Sequence, residues 1–193
     1  GEVVGVKTSR REIKSDYVIL SGGVLGTCDL LLKEQSKSSK ASNFFTNLDI
    51  GKNIQDHTNL RINILTNKNI NSLNEISNSF FKKLSLVFRH FTGVPTLMRG
   101  TGATTAAHLD LDKDGLIDTR IQIVQFSETG RAGSDGKLFS SSKPGFSISI
   151  TPINPESKGV IKLDGNNVNV DPMYLSSEKD VALLKLALVF CLK

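Results

Sequence analysis

The sequence predicts an α+β fold, with an α/β portion at the start followed by an antiparallel sheet flanked by helices. Near the N-terminus an apolar strand runs into a glycine turn and a helix. Further along, β-type runs alternate with Gly, Ser, Asp and Pro clusters, which is typical of antiparallel strands. Two segments with helical periodicity begin at capping residues. With 193 residues, of which 38% are hydrophobic, the chain is long enough to bury a core.

The N-terminal segment is predicted to form two strands and a helix. The run from Val3 to Lys7 is short and rich in β-formers. Asp16 to Ser21 is almost continuously apolar, as in a strand that is covered on both faces in a parallel sheet. That strand ends at Gly22 and Gly23, and the helix that follows is expected from Val24 to Lys33.

A glycine turn that opens a helix can place backbone N–H groups against a phosphate or a ribose. The dinucleotide-binding motif needs Gly-x-Gly-x-x-Gly and an acidic residue about 20 residues further on. Gly22, Gly23 and Gly26 do not have that spacing. Spacing alone therefore favours a plain strand-to-helix turn and leaves a nucleotide-binding turn as the alternative.

The next segment predicts a strand and a long helix. Asn59 to Thr66 alternates as a strand with one apolar face does, and Ser72 to Glu75 forms a capping box. Apolar positions spaced by three and four residues follow the box: Leu73, Ile76, Phe80, Leu84, Val87 and Phe91. We expect one helix over residues 72–91 whose Phe stripe packs against a sheet and whose Lys82, Lys83 and Arg89 are solvated.

The C-terminal half predicts an antiparallel sheet within residues 100–165 and a final helix. Three β-type runs supply the strands: Ile121 to Phe126, Phe146 to Thr151 and Val160 to Leu163. Asp171 and Pro172 interrupt the pattern, since the residue before proline avoids the helical region. Ser177, with Asp180 three residues later, is expected to cap a helix that continues through Cys191.

Composition excludes several classes of function. The net charge is +5, but 24 basic residues are interleaved with 19 acidic ones, which indicates a solvated surface and no nucleic-acid partner. Cys28 and Cys191 lie far apart in apolar runs and are expected to be free thiols. No stretch is long and apolar enough for a membrane span and no secretory signal is present, so we expect a cytoplasmic protein.

No metal site is predicted. Asp110, Asp112, Asp114 and Asp118 imitate the first ligands of an EF-hand loop, but Ile121 stands where the bidentate acid belongs. We therefore expect an ordinary acidic turn between strands. The three histidines, His57, His90 and His108, are not spaced as a metal-binding pair.

Two segments carry a resemblance to a known family. Residues 21–32 have the sequence Ser-Gly-Gly-Val-Leu-Gly-Thr-Cys-Asp-Leu-Leu-Leu, and residues 50–57 have Ile-Gly-Lys-Asn-Ile-Gln-Asp-His. In this order they resemble the glucose-methanol-choline (GMC) family of FAD-dependent oxidoreductases, in a choline dehydrogenase-like or cholesterol oxidase-like branch. Pro155 to Gly159 and Asp171 to Leu175 continue the resemblance along the chain, whereas Cys28 stands where the family carries proline.

The resemblance implies FAD as the cofactor and a small-molecule alcohol as the substrate, whose CH–OH group is oxidised to a carbonyl with hydride transfer to the flavin. It places Ser21, Gly22 and Gly23 near the adenosine half of FAD. It also places Asn53, Asp56 and His57 close to the flavin or its covering loop. No catalytic residue is assigned within the chain, because the family's base would lie beyond Lys193 and its first glycine motif before Gly1.

By the same resemblance, residues 1–59 belong to an FAD-binding domain, residues 60–170 to a substrate-binding domain, and residues 171–193 to a helix that returns to the FAD domain. The sequence then represents an internal portion of a larger enzyme that is inactive by itself. A non-catalytic α+β module that binds a ligand or a partner is the alternative. For His57 taken alone, a loop histidine satisfied by its surroundings is the favoured interpretation.

Overall fold

The computed structural model describes residues 3–37, 48–96, 103–130, 139–140 and 143–193, with backbone only for residues 104, 128–130 and 139–140. The fold is α+β, as predicted. The strands are β1 (Gly5–Lys7), β2 (Glu12–Lys14), β3 (Lys52–Ile54), β4 (Leu60–Leu65), β5 (Ala103–Leu109), β6 (Thr119–Val124), β7 (Glu128–Gly130), β8 (Phe139–Ser140), β9 (Gly145–Pro152), β10 (Gly159–Asp164) and β11 (Asn167–Asp171). The helices are α1 (Gly23–Lys37), α2 (Leu73–Ser77), α3 (Phe80–Phe91) and α4 (Glu178–Cys191).

The chain divides into two compact units. The first comprises Gly1–Asp56 and Ser157–Ser176, and the second comprises His57–Glu156 and Ser177–Lys193. The predicted functional division into residues 1–59, 60–170 and 171–193 stays a prediction. The compact units differ from it by including residues 157–170 in the first unit and residues 57–59 and α4 in the second.

The first unit contains an antiparallel hairpin of β1 and β2 and a three-stranded antiparallel sheet in the order β11-β10-β3. Helix α1 packs against β10. The helix prediction for this region is confirmed, with Leu31 and Leu32 half-buried. The prediction that Val160 to Leu163 joins the sheet of the second unit is wrong, because β10 pairs with β11 and β3.

The predicted strand from Asp16 to Ser21 is absent. Its residues have no strand conformation, and Tyr17 and Ile19 are 87% and 86% exposed. The two strands that precede it pair with each other, so that no described strand lies alongside it. The apolar run therefore lacks the neighbours that would bury it within the described chain.

The second unit is built around a four-stranded antiparallel sheet in the order β4-β9-β6-β5. The central strand β9 pairs in register with β4 on one side and β6 on the other, which confirms the predicted antiparallel sheet. Ile150 of β9 is fully buried and packs with Leu184 and Ala187 of α4. Helix α4 begins at the predicted cap, where the Ser177 hydroxyl accepts a hydrogen bond from the Lys179 amide.

The predicted helix over residues 72–91 is two helices. Its capping box is confirmed: the Ser72 hydroxyl accepts from the Glu75 amide, and the Glu75 carboxylate accepts from the Ser72 amide. Helix α2 ends at Asn78, and Ser79 caps α3 by accepting from the Lys82 amide. Asn78 and Ser79, six and seven residues after Ser72, therefore end one helix and begin the next.

The expected burial of the Phe stripe is wrong. Phe80 and Phe91 are 74% and 83% exposed, and Leu84 and Val87 are also exposed. The opposite face of α3 is turned inward, and Lys82, which was expected to be solvated, forms an ion pair of 3.0 Å with the nearly buried Glu75. This ion pair links α2 to the face of α3 opposite the Phe stripe.

None of the helices in the described ranges is long and apolar enough to cross a membrane.

Candidate functional site

The glycine turn lies at the start of α1. Ser21, Gly22 and Gly23 are exposed, and Gly23 has a φ of +72°, a conformation that glycine adopts without strain. The first turn of α1 contains no acidic residue. Its amide groups form the electropositive end of a 15-residue helix, which suits an anionic group such as a phosphate.

The Gly51 to Asp56 segment is fixed by close backbone contact with β10. Gly51 is buried with a φ of +75°, and its carbonyl accepts a hydrogen bond of 2.6 Å from the Ile161 amide. A Cβ atom at this position would overlap the carbonyl oxygen of Ile161. Asn53 is exposed with a φ of +59°, beside the irregularity in the pairing of β3 with β10. The segment thus needs glycine at 51 for steric reasons and tolerates asparagine at 53.

Tyr174 is a site neighbour that the sequence did not reveal. Its hydroxyl donates a hydrogen bond to the carboxylate of Asp56, although the two residues are 118 positions apart. Tyr174 is flanked by Met173 and Leu175, whose φ angles of +48° and +59° turn the chain sharply at this point. The Asp171 to Leu175 motif marked this segment without indicating its partner.

His57 is the first residue of the second unit. Its Nε2 lies 2.9 Å from the Ile153 carbonyl oxygen, so Nε2 is the nitrogen that donates the proton. The side chain is exposed. This contact agrees with the interpretation of a loop histidine satisfied by its surroundings, and it engages one ring nitrogen in a structural role. Ser21 to Gly23, Asn53 and Asp56 all belong to the first unit.

The acidic turn follows β5. Carboxylate oxygens of Asp110, Asp112 and Asp118 lie within 4.8 Å of one another, so these three are the described residues that a cation would meet. Asp110 accepts hydrogen bonds from the Lys113 and Gly115 amides, and Asp118 accepts from two further amides of the turn. Desolvation raises the pKa of Asp112, and the neighbouring carboxylates add to this effect. The carboxylates thus organise the turn itself, and the expectation of no metal site stays a prediction.

A cavity of about 770 Å³ lies in the second unit between α2, α3 and the sheet. Ile76, Leu86, Ile123 and Phe146 form apolar walls. Lys82 and Arg89 from one face of α3 supply two positive charges, and the described lining residues include no Asp or Glu. Neither residue was a candidate from the sequence, because the Phe stripe predicted that this face of α3 is solvated. The volume is in the range of small-molecule sites.

Comparisons with known proteins assign no family to the chain. No protein-family model matches the chain, and no curated protein matches it. Among solved structures, pyridoxine 4-oxidase from Mesorbium loti is similar with a TM-score of 0.39 and 16% sequence identity. The similar part covers 47% of this chain and 18% of that protein. A TM-score of this size does not define a shared fold family.

Proposed function

We propose that the chain is part of an FAD-dependent oxidoreductase that oxidises the CH–OH group of a small-molecule alcohol to a carbonyl. The observation that carries this proposal is the order of two sequence motifs, residues 21–32 followed by residues 50–57, as in the GMC family. Motif order is more specific than either motif alone, since a glycine turn before a helix also occurs as a plain turn.

The geometry of the first unit supports the proposal. The Ser21 to Gly23 turn presents the amide end of α1 to solvent, where it can meet the anionic or ribose part of a nucleotide. Gly51 is held against the backbone of β10, so the segment that presents Asn53 and Asp56 has a fixed path. These are properties that a cofactor-binding surface needs, because ordered backbone groups bind without a large entropic cost.

Bound FAD would supply the hydride acceptor. In this proposal Ser21, Gly22 and Gly23 hold the adenosine half, and Asn53 and Asp56 lie on the flavin side, with Tyr174 orienting the carboxylate of Asp56. His57 positions its loop through the Ile153 carbonyl. By the family resemblance, the group that removes the hydroxyl proton is not among these residues; that group must come within about 3 Å of the proton.

A second candidate function is a ligand-binding module without catalysis. The cavity between α2, α3 and the sheet favours it, because its described lining residues all belong to the second unit and it has the size of a small-molecule site. For either function we propose a cytoplasmic location, since two free cysteines suit a reducing compartment.

The test is whether the full-length protein that contains this sequence retains flavin. After desalting, we expect the flavin absorbance of a stoichiometric FAD complex. In Asn53→Gly the side chain is lost, but glycine readily adopts the φ of +59°, so a loss of flavin would report the side chain itself.

The matched control is Asn71→Gly, the same substitution at an exposed asparagine with a φ of +54° in the second unit. We expect this variant to retain its flavin. A full-length protein that purifies without flavin and does not take it up from solution would contradict the proposal and leave the ligand-binding module in its place.

A further inference from the structure

The cavity of the second unit is lined by both charged and apolar side chains. Lys82, Ser85, Leu86 and Arg89 are spaced by three, one and three residues, so they share one face of α3. The sheet contributes Ile123 and Phe146 opposite them. The cavity therefore combines apolar walls with two cationic side chains, Lys82 and Arg89, from α3.

The two cations differ in their partners. The Lys82 ammonium is paired with Glu75, whose side chain is only 8% exposed. The Arg89 guanidinium, in contrast, makes no hydrogen bond or ion pair with any residue in the described part of the chain. With Lys82 neutralised by Glu75, Arg89 is the one uncompensated positive charge among the described lining residues.

We infer that this cavity binds a small amphipathic carboxylate, whose anionic end pairs with Arg89 and whose apolar body lies against Leu86, Ile123 and Phe146. A guanidinium matches a carboxylate with two parallel hydrogen bonds. An unpaired guanidinium, with no Asp or Glu among the lining residues that the structure describes, selects a monoanion over a neutral or cationic ligand. The apolar walls require that the ligand have a hydrocarbon portion.

This inference does not rest on the flavin proposal. Binding at the cavity is measured without cofactor and without turnover, so either idea can fail while the other stands. It also distinguishes the cavity from the Ser21 to Gly23 turn, which belongs to the first unit.

Octanoate is the probe, and 1-octanol and acetate are its matched comparisons, since one lacks the charge and the other lacks the apolar body. Titration of the purified protein by calorimetry is expected to show saturable octanoate binding with a Kd at or below about 1 mM. Both comparison compounds should bind at least about tenfold more weakly, because a charge-assisted pair and the apolar contact each contribute that much.

Two substitutions locate the site. Arg89→Gln should weaken octanoate binding at least about tenfold, whereas Lys83→Gln removes a cation from the same helix outside the cavity and should leave the Kd unchanged. Ser85→Trp places an indole in the cavity from an exposed position and should abolish binding while the circular dichroism spectrum is retained. Equal Kd values for octanoate and octanol, equal effects of Arg89→Gln and Lys83→Gln, or no saturable binding would overturn the inference.

Discussion

At Gly51 the backbone leaves no room for a side chain. Its φ of +75° is unfavourable for other residues, and a Cβ would overlap the Ile161 carbonyl oxygen. We expect Gly51→Ala to lower the free energy of unfolding by about 2–3 kcal/mol, measured by urea denaturation. Gly165→Ala is the control: its φ is +60° but no atom lies within 4 Å of the added Cβ, so it should cost only about 1 kcal/mol. Equal losses in the two variants would show that the contact with Ile161 is unimportant.

The Glu75 carboxylate makes the stability of the fold depend on pH. Burial alone would raise the pKa of Glu75, but hydrogen bonds from Ser72, Lys82 and Ile70 outweigh burial and hold the pKa below its ordinary value. A carboxyl group with a lowered pKa stabilises the fold above its unfolded pKa of about 4.3, and this stabilisation is lost as the pH falls through the folded value.

We therefore expect Glu75→Gln to reduce the free energy of unfolding more at pH 7 than at pH 3, as measured by urea unfolding across this range. Glu34→Gln, at an exposed position in α1, is the control and should show little dependence on pH. A Glu75→Gln effect that is the same at both pH values would contradict the role assigned to this carboxylate.

Local signals at the residue scale were readable from the sequence, whereas distant partners were not. Ser72 and Ser177 cap helices as their spacing predicts, because a cap involves only residues within one turn. The contact between Tyr174 and Asp56 joins segments 118 residues apart. No pattern in the sequence predicts a contact over that separation, so only the structure reveals it.

At the scale of the element, α3 is an amphipathic helix whose apolar stripe faces solvent. We expect Phe91→Ser to change the free energy of unfolding by less than about 0.5 kcal/mol, because Phe91 is 83% exposed. Leu184→Ala in α4 should cost about 2–4 kcal/mol, because Leu184 packs on Ile150 in the core. Thermal unfolding of the two variants measures the contrast. A larger loss for Phe91→Ser than for Leu184→Ala would mean that the stripe is buried after all.

The element scale also shows where periodicity misleads. The spacing of Phe80, Leu84 and Val87 correctly predicts a helix, because it reports a shared face. Which neighbour covers that face depends on contacts elsewhere in the chain, and here it is the opposite face, with Lys82, that contacts α2. The same limitation applies to the apolar run from Asp16 to Ser21, which is largely exposed and pairs with no described strand.

At the scale of the molecule, the first unit is assembled from distant parts of the chain. Strand β10 joins β3 across more than 100 residues, so the sequence gives no direct sign that residues 157–176 return to the first unit. The α+β class was nevertheless predictable, because composition and the alternation of turn clusters with β-type runs are averages over many residues.

The candidate site likewise has one part that the sequence predicted and one part that it did not. The exposed glycine turn at Ser21 to Gly23 was recognisable as a local motif, and its helix lies where it was expected. The cavity with Lys82 and Arg89 was not recognisable, since it depends on which face of α3 is turned inward and on β6 and β9, which begin 28 and 54 residues after α3 ends.

For the isolated 193-residue chain we expect no redox activity and weak or absent FAD retention. The glycines at 22, 23 and 26 lack the spacing that a pyrophosphate-binding turn requires. Desalting after addition of FAD, followed by dye reduction with primary alcohols and sterols, measures both properties. Stoichiometric flavin in the isolated chain, or turnover that His57→Ala abolishes, would show that the active site lies within these residues.

The most direct test of the proposed function is the visible spectrum of the full-length protein. It is recorded without oxygen, before and after the addition of each primary alcohol or sterol. Transfer of a hydride from the CH–OH carbon reduces the flavin, so the account predicts a flavin spectrum that at least one alcohol bleaches, with the carbonyl product formed in equal amount. A protein that lacks flavin, or one whose flavin no alcohol reduces, would contradict it.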